Sequence, residues 1–189
     1  MAECELTTLM GCELVIGRYP RFLYNARGGS AVGVVQPGDA GQMNLHFPAE
    51  GTAIPALNGR TTRFLGLPLP PGLSVEIHPI RLNGRFEPAT GEMQLQFCAH
   101  FRFQVGVGPD LRYSAPDLLV DTLLTTEAIR SQRHHRQGRR LQGVTTGVLV
   151  GSAVIEPTGE AWLDRFLGLP DEALAVLECR LSLGEDADA

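Results

Sequence analysis

The chain has 189 residues, 43% of them hydrophobic and 20% charged, with a formal net charge of −5, which is the make-up of an ordinary globular protein. All 16 basic residues are arginine, so a Walker A phosphate loop, a Schiff-base lysine and a Ser-x-x-Lys nucleophile pair are excluded, because each needs a lysine amine. The acidic balance supplies no global attraction to nucleic acid.

At the N-terminus, Glu3 and Glu5 stand where a secretory signal would carry basic residues. No uninterrupted apolar run approaches the roughly 18 residues that cross a bilayer. A cytoplasmic setting without a transmembrane segment is expected. Cys4, Cys12, Cys98 and Cys179 show no Cys-x-x-Cys spacing, and reduced thiols are the default in that compartment.

The 22 glycines and 13 prolines are spread along the chain, which favours many short strands joined by turns. Short strands are expected at 13–16, 31–35 and 43–47. Residues 63–68 read Arg-Phe-Leu-Gly-Leu-Pro, and 165–170 repeat them letter for letter. Small-residue strand signals precede both copies and extended segments follow both, so an internal pseudo-repeat is expected. It would make either one domain over 1–189 or two related halves of about 13–107 and 108–183 sharing a core. Packing roles account for the Phe, Leu, Gly and Pro positions of the hexapeptide, which favours structure over twin docking sites at Arg63 and Arg165. A turn of helix is expected at 60–65.

Leu73, Val75 and Ile77 are apolar on one parity, and Ile80 and Leu82 on a shifted one. The shift falls at Pro79, a residue found at bulges. Asn83-Gly84 signals a tight turn, and 87–91 signals a second reversal. From 94 to 105, Leu95, Phe97, Ala99, Phe101, Phe103 and Val105 alternate with Gln94, Gln96, Cys98, His100, Arg102 and Gln104. That period of two marks a long strand with one apolar and one polar face. Further strands are expected at 118–129, 144–155 and 174–183. A short helix at 160–167 ends at Gly168, with Pro170 beyond it. Residues 184–189 read as a disordered acidic tail. The whole is mainly β and antiparallel, a sandwich or partly open barrel with two short helices.

Two candidate sites stand out. In 130–140, Arg130, Arg133, His134, His135, Arg136, Arg139 and Arg140 gather without a carboxylate. A long hairpin loop there would suit an acidic protein or anionic surface, because arginine forks donate paired hydrogen bonds; a solvated loop answering the chain's own acids is the plainer reading. With no aromatic residue interleaved, nucleic-acid binding would be weak and without sequence preference. The second candidate is a barrel interior lined by Gln96, His100, Phe101 and Arg102, fit for an amphipathic small molecule or lipid. Solvent exposure of that polar row is the plainer alternative.

Other patterns carry less. Cys98 and His100 share a face but lack further ligands at diagnostic spacing, so no metal is expected. Residues 27–30 could cradle a phosphate, yet no helix signal follows. Asp117 and Asp121 lie on one strand face as a possible carboxylate pair. No Gly-x-Ser-x-Gly, His-Glu-x-x-His or Gly-x-Gly-x-x-Gly motif is present. A non-enzymatic binding protein without a cofactor is the expectation. Contact with an acidic partner comes first, a carrier of an amphipathic small molecule second and an enzyme third, with oligomeric state open.

Overall fold

The computed structural model describes residues 2–108, 110–141 and 146–184. Sixteen strands and one α-helix occur among them. The first strands are β1 (Ala2–Thr8), β2 (Cys12–Ile16), β3 (Phe22–Tyr24), β4 (Ser30–Pro37), β5 (Met43–Phe47) and β6 (Thr52–Ala53). Next come β7 (Thr62–Phe64), β8 (Leu67–Pro68), β9 (Leu73–Glu87), β10 (Glu92–Val105), β11 (Tyr113–Ser114) and β12 (Leu118–Thr125). The last are β13 (Ala128–Arg130), β14 (His135–Gln137), β15 (Thr146–Ile155), α1 (Ala161–Leu167) and β16 (Asp171–Leu183). Residues 185–189 of the expected tail at 184–189 and the start of the expected strand at 144–155 lie outside the described residues, while Gly184 N donates to the Glu3 carbonyl at 2.8 Å.

Eight strands close into a ring in the order β1-β4-β5-β9-β10-β12-β15-β16, and β16 pairs back onto β1. All pairings are antiparallel. The architecture is therefore a barrel, a ring of strands closed on itself. Its seam is β12 against β15, where the pairing register is the single pair Thr125–Val150. The Thr122 hydroxyl reinforces this seam by donating to the Ser152 carbonyl at 2.8 Å.

β16 has two neighbours on its second edge. Residues 179–183 pair with β1, whereas Ala173–Val176 pair with β2. From β2 the sheet continues through β3, β7 and β8, and Leu57 bridges back to Val75 of β9. At one end of the barrel the gap between β16 and β9 is thus spanned by β1, β4 and β5. At the other end β2, β3, β7 and the segment around Leu57 span it.

The alternation in β10 follows expectation from Leu95 to Phe103, whose parity faces inward, but Val105 is exposed and Cys98 and Gln104 of the other parity are buried. In β9 the register slips opposite Cys98 and Ala99, so that Ile80 is the extra residue. This bulge brings Leu82 and Phe86 inward along with Val75 and Ile77.

Two expectations are corrected. Asn83 and Gly84 make no turn; they lie inside β9, paired with Gln96 and Leu95 on one side and with His46 and Leu45 on the other. The reversal comes at 87–91, where Gly91 N donates to the Glu87 carbonyl at 2.8 Å. Nor does 60–65 form a helical turn. The first hexapeptide is a hairpin, with Arg63 opposite Pro68 and Phe64 opposite Leu67. Its two-residue loop, Leu65 and Gly66, has φ of 52° and 82°, the positive values that a tight hairpin turn demands.

The second copy ends α1, as expected, with Gly168 in the left-handed region at φ 73°. The flanks account for the difference. Before the first copy, the Asn58 side chain accepts from the backbone of Arg60 and Thr61, and two β-branched threonines follow. Before the second stand the helix formers Ala161 and Leu163, and the Asp164 carboxylate gathers the Thr158 and Gly159 amides.

The interior holds three apolar clusters. One packs the end formed by β1, β4 and β5 solidly, around Leu45, Phe47, Met93 and Leu95. A second lies under Leu57, Leu69 and Val75. The third lies under α1, where Leu163 and Leu167 meet Leu118 and Ile155. A cavity opens where the three meet.

Candidate functional site

The cavity occupies about 390 Å³, within the range of about 300–1,000 Å³ usual for small-molecule sites. Two sets of side chains shape it. Phe97, Phe101 and Phe103 project from β10, with Phe22 and Phe64 from the outer strands. They are only half-buried although they face inward, because the space they border is open. On β15 and β16 the walls are small: Gly151 and Ala153 of β15 pair with Ala175 and Ala173 of β16. Large rings on one wall and minimal side chains on the other leave the room.

Polar groups in the lining are mostly satisfied by the backbone. Thr8 Oγ1 donates to the Ala26 carbonyl at 2.7 Å, and Thr52 Oγ1 to the Pro48 carbonyl at 2.9 Å. The Tyr24 hydroxyl donates to the Pro55 carbonyl, and the Cys179 thiol to the Gly147 carbonyl at 3.8 Å. Burial pushes both pKa values up, that of Cys179 to about 12, so both groups stay neutral near pH 7. Ser30 keeps its hydroxyl free of such a bond among the described residues. No lining residue carries a carboxylate, imidazole or guanidinium. Such a chamber can bind by shape and apolar burial, and it offers a reacting centre no charged group.

Of the four residues suggested for an internal site, Phe101 lines the cavity. Gln96, His100 and Arg102 have the opposite parity and point to the outer face of the barrel. There the Arg102 guanidinium clamps Asp117 with contacts of 2.8 and 3.0 Å. That hydrogen-bonded pairing is the main reason the Asp117 carboxyl lies below the usual carboxylate range. His100 Nδ1 is 3.9 Å from the same carboxylate. Gln96 donates to Asp121, which Arg81 also approaches at 3.5 Å. The two aspartates are thus held in separate polar pairs. Among the described residues no group of three or more His, Cys, Asp or Glu comes together to hold a metal ion.

The arginine-rich segment holds a small hairpin, β13 against β14, outside the main sheet's ladder but joined to β15 by the bridge between Arg139 and Val148. Two of its arginines are engaged at home: Arg140 bridges Glu127 and Glu92, and Arg133 Nε meets Asp171 Oδ1 at 2.8 Å. Its tip is tied to β16 by Glu172, which accepts from Ser131 Oγ at 2.7 Å and from the amides of Gln132 and Arg133 at 3.1 and 3.0 Å. The Ser131 bond is the largest influence lowering the Glu172 pKa. His134 is half-buried, while His135, Arg130, Arg136 and Arg139 are exposed.

This tip borders an open cleft that no sequence spacing announced. Arg18, Arg133 and Arg165 line it, together with Asp171 and Glu172. Tyr19, Phe166 and Leu167 belong both to its wall and to that of the apolar cavity. The Tyr19 hydroxyl donates to the Phe166 carbonyl at 2.6 Å, with ring centroids 5.8 Å apart. A charged cleft and an apolar chamber thus share one aromatic partition.

Among the described residues, no helix is long and apolar enough to cross a membrane. No protein-family model matches the chain, and no curated protein or solved structure proves significantly similar to it.

Proposed function

We propose that the protein is a carrier that binds an apolar or amphipathic small molecule inside the barrel. The observation that carries this reading is the cavity of about 390 Å³, walled by apolar side chains. Atoms that border an unfilled apolar space lack packing partners on that side. An apolar occupant restores those contacts. Four buried free thiols suit a reducing compartment and support a cytoplasmic setting.

Native against denaturing mass spectrometry on gently purified protein tests the proposal. Extra mass lost on denaturation is expected, and it should be absent from Ala175→Phe, whose ring would occupy the chamber. Wild-type protein that stays free of small molecules, even after incubation with apolar compounds, would overturn the reading. Release of a chemically altered compound would replace carriage with catalysis.

A second reading, contact with an acidic partner, keeps support from Arg130, Arg136 and Arg139. These are exposed on the hairpin and have no ion pair among the described residues. A bare protein mass in the same experiment would favour it.

A further inference from the structure

The cleft beside the cavity carries more information than the cavity alone. Three guanidinium groups face it, against two carboxylates. Both carboxylates are already committed: Asp171 to Arg133, and Glu172 to the Ser131 hydroxyl and two backbone amides. Arg18 and Arg165 are exposed and make no hydrogen bond or ion pair among the described residues. They come from distant parts of the chain, the turn after β2 and the last turn of α1, and meet at one opening. The cleft therefore presents two uncommitted arginine forks with the charge of the neighbouring acids spoken for. Guanidinium forks of this kind match the paired oxygens of a carboxylate or phosphate.

Position gives these arginines their meaning. Tyr19 and Phe166 separate the cleft from the chamber, and Phe166 is 53% exposed. A hydroxyl-to-carbonyl bond, a tilted contact between the Tyr19 and Phe166 rings and an edge contact of Tyr19 with Phe64 hold the partition. A ligand passing it would have its apolar part among Phe64, Phe101 and Phe103, and its other end among guanidinium groups.

We propose that the ligand is an anionic amphipath, an apolar chain ending in a carboxylate or phosphate, with Arg18 and Arg165 binding the head. This rests on the cavity being a ligand site. The chamber of about 390 Å³ lies toward the small end of small-molecule sites, about 300–1,000 Å³, so a medium-length chain is the fitting probe.

The test measures binding of dodecanoate, dodecyl phosphate and 1-dodecanol to the full chain by calorimetry, for wild type, for the double variant Arg18→Gln/Arg165→Gln and for Ala175→Phe. Dodecanoate or dodecyl phosphate should bind wild type at least about tenfold tighter than the alcohol, as expected for a charge-assisted pair; the tighter of the two identifies the head group. In the double variant the anion should fall to the level of the alcohol while the alcohol is unchanged, which also shows that the fold survives. Equal binding of all three probes to wild type, or an anion preference kept by the double variant, would overturn the head-group assignment and leave the cavity reading standing. Failure of every probe to bind wild type, or undiminished binding by Ala175→Phe, would overturn both.

Discussion

Gly33 of β4 and Gly84 of β9 face inward on the two strands that flank β5. A methyl group at Gly33 would strike the His46 carbonyl oxygen, and one at Gly84 the Gln94 carbonyl oxygen. Both obstacles are backbone, which cannot swing aside as a side chain can. The glycines let neighbouring strands coil closely enough to turn the sheet around this side of the barrel. Gly84→Ala should therefore destabilise the fold by about 1–3 kcal/mol, the usual cost of forcing atoms into a packed interior; urea unfolding midpoints would show it. An unchanged midpoint would mean that the sheet yields there without cost. At this scale the sequence misleads as well as informs. Asn83-Gly84 resembles a turn, but the same lack of a Cβ also serves close approach within a strand, and only the neighbouring strands decide between the two uses.

The two hexapeptides teach a similar lesson for elements. Their shared glycine takes a positive φ in both, once as a hairpin turn residue and once as a helix C-cap. The six residues are compatible with either outcome, and the flanks choose. For α1 the choice depends on Asp164, which accepts from Thr158 N and Oγ1, each at 2.7 Å, and from Gly159 N at 3.0 Å. Chiefly through the Thr158 side-chain bond, its carboxyl is held below the usual range in the folded protein. A carboxyl depressed on folding adds stability above its unfolded pKa, and that contribution is lost as pH falls through the folded value. Wild type should accordingly lose more stability than Asp164→Asn between neutral and strongly acidic pH, read from unfolding midpoints across the range. Parallel pH curves for the two proteins would remove the aspartate from this role. Local patterns were otherwise informative: the alternation of β10, the reversal at 87–91 and the helix stop at Gly168 all follow from short-range chemistry.

Taken as a whole, the molecule is a barrel that is solid at one end and hollow at the other. The difference arises because β16 changes partner from β1 to β2 along its length, while β15 and β16 contribute only glycine and alanine to a stretch of chamber wall that β10 lines with phenylalanines. If the hollow exists for a ligand, filling it should help the empty protein. Ala175→Phe is expected to raise the stability of ligand-free protein by about 0.5–2 kcal/mol, as cavity-filling changes commonly do, while removing ligand binding. Chemical denaturation of ligand-free wild type and variant would test this. A destabilised variant would show that the chamber walls cannot accept a ring.

The sequence by itself determined the class of the fold, its antiparallel strands, the helix that stops at Gly168 and the chemistries that a lysine-free chain forgoes, while the second helix it suggested at 60–65 is a hairpin. Those properties rest on alternation, capping and composition, which act over a few residues. Closure of the ring, the chamber and the meeting of Arg18 with Arg165 beside Tyr19 and Phe166 were decided only by tertiary structure. Alternation divides a strand into two faces, but it cannot say whether the apolar face meets a packed core or borders a void. That depends on side-chain sizes on strands distant in the chain, brought into register only when the barrel closes.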